Sequence, residues 1–226
     1  FQDCSGVTNI DNLFRNTAIT SLPSGIFSPF ASQVTTANNC LTNTQLTSLP
    51  SGLFENFSLI TNDFSSLFNS DLLVTAGPRV FANCSSATTF QSTFANCLSL
   101  TSVDESLFEN CSSCTDFKNT FYNCPSLTSV GSGLFDGCSS VTTFDSTFHN
   151  TAITSIPDGL FDSCSGATIF TQTFLNTDIT NIPDGLFDNC PNAVSFNSTF
   201  QLCDSLVSIP PGLFQNLSSV TTFNST

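Results

Sequence analysis

Residues 135–161 read FDGCSSVTTFDSTFHNTAITSIPDGLF, and residues 161–187 repeat the phrase as FDSCSGATIFTQTFLNTDITNIPDGLF. The shared phrase is close to F-x-N-C-x-S-L-T-S-I-P-x-G-L-F-D-N-C-S-S-V-T-T-F-x-S-T and occurs eight times in 226 residues. A fixed period of this size is typical of a solenoid, in which each coil packs only against its neighbours. The repeat therefore decides the fold class.

The register of the repeats is set by the Phe of the G-L-F step, which returns every 26 or 27 residues. Its members are Phe27, Phe54, Phe81, Phe108, Phe135, Phe161, Phe187 and Phe214. The T-T-F step and the position four residues later supply two more series, as in Phe90/Phe94 and Phe144/Phe148. We expect three columns of Phe to fill one continuous core, because burial of each ring stabilises the fold by roughly 1.5–3 kcal/mol.

Two segments of each phrase predict short strands. Ile153 to Pro157 and Val141 to Phe144 alternate apolar and polar side chains and are rich in β-branched residues. The segments that begin at Asp158 and Asp145 start with a capping residue and span only one or two turns. The sequence therefore predicts an α/β solenoid of 26–27-residue coils, with two short parallel strands and one or two short α or 3₁₀ segments per coil.

Nothing in the sequence divides the array. No Gly/Ser linker or charge block interrupts it, so we expect residues 1–226 to form a single continuous array of about eight coils that begins and ends within a repeat. No stretch approaches the roughly 20 apolar residues that span a bilayer, and no charged n-region precedes an apolar run at Phe1. We therefore expect no membrane insertion of the chain as given.

The segment F-x-N-C-x-S-L-T-S-I-P-x-G-L-F resembles the BspA-like leucine-rich repeats of bacterial, protist and phage surface proteins, and is similar to the repeats of mycoplasma-type surface proteins. The resemblance covers essentially all of residues 1–226. It implies a leucine-rich-repeat-like solenoid on extracellular proteins used for attachment or scaffolding, without catalytic residues. This chain departs from the family in its longer period, its many Phe residues, and Phe30 and Phe57 at positions where later coils have Cys.

The composition limits the classes of partner. Charged residues make up 9% of the chain, and Arg15, Arg79 and Lys118 are the only strong bases against 17 acids, giving a net charge of −14. Phosphate binding requires clustered Lys and Arg, so nucleic acid is excluded as a partner. The polar surface must come from Ser, Thr and Asn, which favours an extracellular or cell-surface setting.

The 11 cysteines follow the repeat. One column comprises Cys4, Cys84, Cys111, Cys138, Cys164 and Cys190, and a second comprises Cys97, Cys124 and Cys203. Other coils have Phe, Leu or Thr at these positions, which favours buried free thiols that act as small apolar residues, although an extracellular setting also permits some disulfides. Cys111 and Cys114 have the spacing of a redox or zinc half-site, but Cys114 occupies a position filled by Ala87 and Val141 elsewhere, so we interpret it as core.

No residue set predicts catalysis. His149 is the only His, at a position occupied by Ala95, Tyr122, Leu175 and Gln201 in other coils. Acids recur as Glu55, Glu109, Asp136, Asp162 and Asp188, with Asp158 and Asp184 four residues before the last two. A weak calcium alternative rests on these oxygens, whereas a capping role for Asp158 and Asp184 is the simpler interpretation. We therefore predict no catalytic, cofactor-binding or metal-binding residues, and no enzyme.

Six Asn residues begin N-x-S/T tripeptides: Asn56, Asn83, Asn110, Asn197, Asn216 and Asn224. Glycosylation at exposed turns is compatible with this pattern. The Asn of F-x-N-C is better interpreted as a turn residue whose side chain bonds local backbone.

Two functional hypotheses follow. The first is an extracellular scaffold for adhesion or ligand binding, on a cell surface or as a phage fibre segment, with protein or glycan partners. Its specificity would come from residues that vary after the T-T-F Phe, namely Gln91, Lys118, Asp145, Thr171 and Asn197. The second is a subunit of an extracellular filament that assembles head to tail, because open solenoid ends expose strand edges and Phe columns.

Overall fold

The computed structural model describes residue 4 and residues 6–62, 64–68 and 72–226. In these ranges the chain winds into coils that stack on one another. Backbone hydrogen bonds join each residue to one in the neighbouring coil, one repeat away in the sequence. The amide of Val74 donates to the carbonyl of Thr47 at 2.8 Å, and the amide of Thr88 donates to that of Thr61 at 2.7 Å. Hydrogen bonds between residues one repeat apart are the direct mark of a solenoid, so that prediction is confirmed.

Two parallel ladders run along the stack. The first contains a sheet of β1 (Ser48–Leu49), β2 (Thr75–Ala76) and β3 (Ser102–Val103), in the order β1-β2-β3. The second consists of isolated parallel bridges: Asn9/Thr36, Thr89/Asp116, Asp116/Thr143, Thr143/Ile169, Ile169/Ser195 and Ser195/Thr222. The strands are this short because a turn follows each of them within a few residues. Parallel pairing of minimum length is therefore present at the second predicted strand position, including Val141 to Phe144, and at the first position in the coils of residues 48–129. The predicted strand from Ile153 to Pro157 is wrong, because in these later coils the described residues are joined by single amide bonds, as from Thr180 to Thr154 at 3.1 Å, and not by a ladder.

The predicted α-helical segments are wrong for the described residues. Two segments are 3₁₀ helices, Ser28–Phe30 (η1) and Ser132–Phe135 (η2), and the other corresponding segments are hydrogen-bonded turns. The cause is a left-handed residue every fourth position, as at Asn119 and Asn123, which both have φ 56°. A left-handed residue ends a right-handed helical turn, so each segment becomes two successive turns instead of a helix.

The backbone of the turn after T-T-F alternates between two kinds of hydrogen bond. Odd-numbered amides in the coil of residues 92–97 donate three residues back within their own turn, as Thr93 does to Phe90 at 3.1 Å. Even-numbered amides donate to the next coil: Ser92 to Lys118, Phe94 to Thr120, and Asn96 to Tyr122, at 2.8–2.9 Å. Every amide of residues 92–97 is therefore paired, and the turn forms a rigid surface.

The three predicted Phe columns are confirmed. Within a column the rings stack with nearly parallel planes, with centroids 5.5 Å apart and planes at 5° for Phe54/Phe81, and 5.5 Å and 3° for Phe64/Phe90. Between columns they meet at steep angles, as for Phe64/Phe81 at 4.8 Å and 63°. Both geometries are favourable for aromatic rings, so the columns interlock into one buried core.

Most coils have Cys or Thr three residues after a column Phe, although Phe30, Phe57 and Leu217 take this position after the G-L-F Phe. Several of the Cys and Thr side chains are buried and donate to the Phe carbonyl of the preceding coil: Cys111 Sγ to Phe81 O at 3.2 Å and Thr120 Oγ1 to Phe90 O at 3.0 Å. All 11 cysteines are free thiols, and all except Cys4 are buried. The thiols are therefore core residues, as expected, but they also act as hydrogen-bond donors.

Candidate functional site

The turn after the T-T-F Phe presents two rows of residues that change from coil to coil. The first row, predicted from the sequence, is Gln91, Lys118, Asp145, Thr171 and Asn197. The second row lies four residues later and is Ala95, Tyr122, His149, Leu175 and Gln201. Between the rows, Thr93, Thr120, Thr147, Thr173 and Thr199 repeat without change and are fully buried. We call the two rows the variable face, because differing side chains there stand on a repeated frame.

A ladder of Asn side chains supports the variable face. Asn123 Nδ2 donates to Asn96 Oδ1 at 2.8 Å, Asn150 Nδ2 donates to Asn123 Oδ1, and Asn176 Nδ2 donates to Asn150 Oδ1 at 2.8 Å. All four are left-handed turn residues, as predicted, with φ between 56° and 62°. Their side chains, however, bond the neighbouring coil and not the local backbone. The ladder therefore fixes adjacent coils to each other directly beside the second row.

A second Asn ladder occupies three of the N-x-S/T tripeptides. Asn83 Nδ2 donates to Asn56 Oδ1, and Asn110 Nδ2 donates to Asn83 Oδ1, both at 3.2 Å. Glycosylation attaches a sugar at this same nitrogen and replaces one of its two N–H groups, so modification of Asn83 or Asn110 would leave a single N–H for the bond between coils.

Two pairs of side chains occupy the same two coils at the centre of the variable face, and the charge of Asp145 in one pair acts on His149 in the other. Lys118 Nζ bonds Asp145 Oδ2 at 2.7 Å, and the rings of Tyr122 and His149 contact edge to face, with centroids 4.9 Å apart and planes at 82°. They include the only Lys, the only Tyr and the only His of the chain. We call these four residues the central cluster. The second row was not predicted as a binding surface, although a unique Tyr and a unique His at one repeat position of successive coils was a signal in the sequence.

The central cluster is close to electroneutral at neutral pH. The hydrogen bond with Asp145, followed by its charge, raises the pKa of Lys118 and keeps the ammonium paired. Burial lowers the pKa of His149, and the charge of Asp145 only partly opposes this. His149 Nδ1 is buried and has no hydrogen-bond partner in the described part of the chain. The imidazole is therefore neutral, and the one full positive charge is matched by one carboxylate.

The acid column lies on a different side of each coil, in the turn after the first ladder. Arg79 links two of its members, with Nη2 2.9 Å from Glu55 Oε1 and Nη1 bonded to Glu109 Oε2. A cleft of about 430 Å³ lies between Glu105, Glu109 and Asp136. Within the described ranges, no group of three or more His, Cys, Asp or Glu has the arrangement of a metal site.

Two further sequence expectations concern residues outside the variable face. Asp158 and Asp184 each begin a segment of hydrogen-bonded turns, so the short helices that they were expected to cap are not formed there. Cys111 and Cys114 are both fully buried in the core, as expected for Cys114 as a core residue. Their C-x-x-C spacing therefore offers no pair of thiols to solvent.

The last coil exposes apolar side chains. Leu206, Ile209, Phe214 and Phe223 line a cleft of about 380 Å³ at the end of the Phe columns. Ile209 is 63% exposed and Phe223 is 47% exposed.

No helix in the described ranges is long and apolar enough to cross a membrane.

Stacked coils with a parallel ladder and a repeating apolar core define a leucine-rich-repeat solenoid. The family model of the BspA type leucine rich repeat region matches residues 73–221 in six copies. Because this match covers well over half of the sequence, the chain belongs to the BspA-type leucine-rich-repeat family. No curated protein matches the sequence.

A solved structure shows the same fold at low sequence identity. A chain of the glycosylated Toll–Spatzle complex of Drosophila aligns over 99% of this chain and 32% of its own length, with a TM-score of 0.65 and 20% identity. A second structure of that complex aligns over 99% of this chain and 33% of its own, with a TM-score of 0.43 and 17% identity. The chain thus spans about a third of these neighbours, and the first alignment supports the solenoid fold alone.

Proposed function

We propose that this chain is a non-enzymatic binding module of an extracellular or surface protein, which attaches to a macromolecular partner through the variable face. The observation that carries the proposal is the central cluster, where the only Lys, Tyr and His of the chain lie on two adjacent coils. A repeat reproduces most side chains in every coil, so specificity must come from positions that break the repeat. The central cluster is the strongest such break among the described residues.

The frame under the variable face supports this role. Paired amides, the Asn ladder and buried Thr hydroxyls fix the coils, so little conformational freedom is lost when a partner binds. The similar Toll–Spatzle structure is itself a complex, which supports a binding role by analogy of fold only. Low charge and a surface of Ser, Thr and Asn fit the extracellular setting. A phage fibre segment would use the same face in a different setting.

A binding assay with matched variants tests the proposal. Beads coated with the 226-residue protein are presented with a panel of purified extracellular matrix proteins and immobilised glycans. We expect binding to at least one member, and a loss of about tenfold or more in the double variant Lys118→Ala/Tyr122→Ala, as for an interface hot spot. Asp162→Asn on the acid column is the control and should leave binding unchanged. Binding that follows the control variant instead would refute the variable face as the site.

Head-to-tail assembly is a second candidate function, favoured by the apolar cleft at the last coil. Each described coil covers the equivalent face of its neighbour, so a coil of a second copy would cover Leu206, Ile209 and Phe214 in the same way. Analytical ultracentrifugation and electron microscopy test it. Ile209→Glu should abolish assembly, whereas Ile169→Glu, at a side-chain position 38% exposed on the second ladder, should not. A monomer at high concentration would refute it.

A further inference from the structure

We infer that the ligand of the central cluster is a neutral glycan, with a sugar ring packed on Tyr122 and its hydroxyls bonded to the neighbouring polar side chains. This inference rests on the proposed function, because it names the partner class of the same face. Three properties of the cluster support it: its charge, its exposed aromatic ring and its hydrogen-bonding groups.

The charge of the chain opposes anionic ligands. The protein carries a net charge of −14 and three strong bases. Lys118 is paired with Asp145, Arg79 is paired with Glu55 and Glu109, and Arg15 Nη1 donates to Asn12 Oδ1 at 3.3 Å. No base is therefore left clustered for a sulfate, a phosphate or the carboxylate of an acidic sugar, and the surrounding field repels such groups. An uncharged ligand is not repelled by this field.

Tyr122 supplies a surface on which a sugar ring packs. Its side chain is 37% exposed, and the one other exposed aromatic side chain among the described residues is Phe223, in the last coil. The electron-rich face of an aromatic ring attracts partly positive hydrogens such as the axial C–H groups of a sugar. The Tyr122 carbonyl accepts from the Asn96 amide at 2.8 Å, which fixes the backbone, and the ring contacts His149 at 82° before binding.

The other members of the cluster offer donors and acceptors at short spacing. Asp145 accepts from Lys118 at Oδ2 and from Ser146 Oγ at Oδ1 at 2.8 Å, and each carboxylate oxygen keeps a further lone pair. Lys118 keeps two further N–H groups, because one ammonium donor is used. Gln91 places an exposed amide one coil earlier in the first row. Adjacent donors and acceptors of this kind match the adjacent hydroxyls of a neutral sugar.

A glycan fits this face better than a protein does. A stable protein interface buries roughly 800 Å² on each partner and depends on several anchors such as Tyr, Trp and Arg. Tyr122 is the one exposed aromatic side chain of the second row, since Ala95 is small, Leu175 is 7% exposed and the exposed Gln201 is polar. The distinctive groups span two adjacent coils, which lie about 4.8 Å apart. That area suits one or two sugar rings.

Saturation-transfer NMR and calorimetry on the native 226-residue protein test the inference. The probes are hexamers of glucose, mannose, galactose and N-acetylglucosamine, with heparin as the anionic contrast. We expect at least one neutral hexamer to bind and heparin not to bind. Tyr122→Ala should weaken that binding by about 3- to 10-fold, as for loss of one aromatic contact, whereas Tyr122→Phe retains the ring and should bind within about 2-fold of wild type. Gln201→Ala, in the same row two coils from His149, is the control and should not change binding.

The outcomes separate this inference from the proposed function. The glycan inference is wrong if no neutral hexamer binds or if heparin binds instead. If Lys118→Ala/Tyr122→Ala still abolishes binding to a protein of the panel in that case, the proposal that the variable face is the binding site is retained. Hexamer binding that Tyr122→Ala leaves unchanged overturns the assigned site. Partner binding that follows the acid-column variant, with no hexamer bound, overturns both.

Discussion

The sulfur of Cys124 donates a hydrogen bond to the carbonyl oxygen of Phe94, one coil earlier, at 3.1 Å. The same oxygen accepts the amide of Cys97 at 3.2 Å, so both of its lone pairs are used. In the next two coils this column has Thr151 and Thr177, whose hydroxyls also donate to Phe carbonyls. The column thus requires a small side chain with a donor, which explains the exchange of Cys with Thr.

Substitution of Cys124 can distinguish the contribution of its hydrogen bond from that of its packing. Thr and Val have nearly the same shape, but only Thr donates a hydrogen bond. We expect Cys124→Val to be less stable than Cys124→Thr by about 0.5–1.5 kcal/mol, the net contribution of one hydrogen bond, because the Phe94 carbonyl keeps its bond from the Cys97 amide. Urea unfolding at neutral pH measures the difference. Equal midpoints for the two variants would mean that packing alone selects Cys at this position.

Burial predicts that the thiols are chemically inert in the folded protein. Loss of solvation raises the pKa of Cys138 and Cys190 to about 12, and raises that of Cys111 and Cys114 as well. The thiolate is the reactive form, so these residues should resist alkylation at pH 8. We expect iodoacetamide to modify Cys4, which is only partly buried, within minutes, and all 11 cysteines after unfolding. Fewer modified thiols in the unfolded, unreduced protein would reveal disulfides and contradict this expectation.

The sequence predicted those features that depend on a side chain's period alone. Residues that recur every 26 or 27 positions must stack on one another in successive coils, and the apolar ones must face the core. This accounts for the three Phe columns, the two parallel ladders and the burial of Cys114. The turns were harder to predict, because Asp158-Gly159 and Asp145-Ser146 fit both a helix start and a turn. The left-handed conformations of Gly159 and Ser146 decide between them, and these appear only in the structure.

The binding face was predicted in part for a related reason. Lys118 and Asp145 were identified because they vary between coils, but their 2.7 Å ion pair depends on coil stacking. Tyr122 and His149 were treated as variable residues without a role, since their contact joins positions 27 residues apart. Comparison of unique residues at the same repeat position, coil by coil, would have identified the pair.

The Asn ladder gives a prediction about backbone conformation. Asn123 has φ 56°, donates to Asn96 and accepts from Asn150. Asn123→Gly removes both side-chain bonds but tolerates the left-handed backbone, whereas Asn123→Ala also adds strain of about 1–2 kcal/mol. We expect both variants to be destabilised, and Ala to be less stable than Gly by about 1 kcal/mol in urea unfolding. The reverse order would mean that the left-handed conformation is not maintained in solution.

His149 gives a prediction about pH. Its pKa in the folded protein is lowered from the ordinary value of 6.5 by burial, while the charge of Asp145 opposes the shift to a lesser extent. The unfolded chain therefore binds the proton more readily, and stability falls as the pH decreases through 6.5 toward the lowered pKa of the folded state. At a pH well above 6.5 the imidazole is neutral in both states, and its contribution does not depend on pH.

A comparison of wild type with His149→Gln isolates this effect, because Gln201 already occupies the same repeat position and the carboxylates titrate alike in both proteins. Thermal unfolding of both proteins is followed from pH 7.5 to pH 5.0. We expect the Tm of wild type to fall further than that of His149→Gln over this range. If wild type instead gains stability relative to the variant on acidification, attraction between the imidazolium and Asp145 outweighs burial, and the central cluster acquires positive charge at low pH.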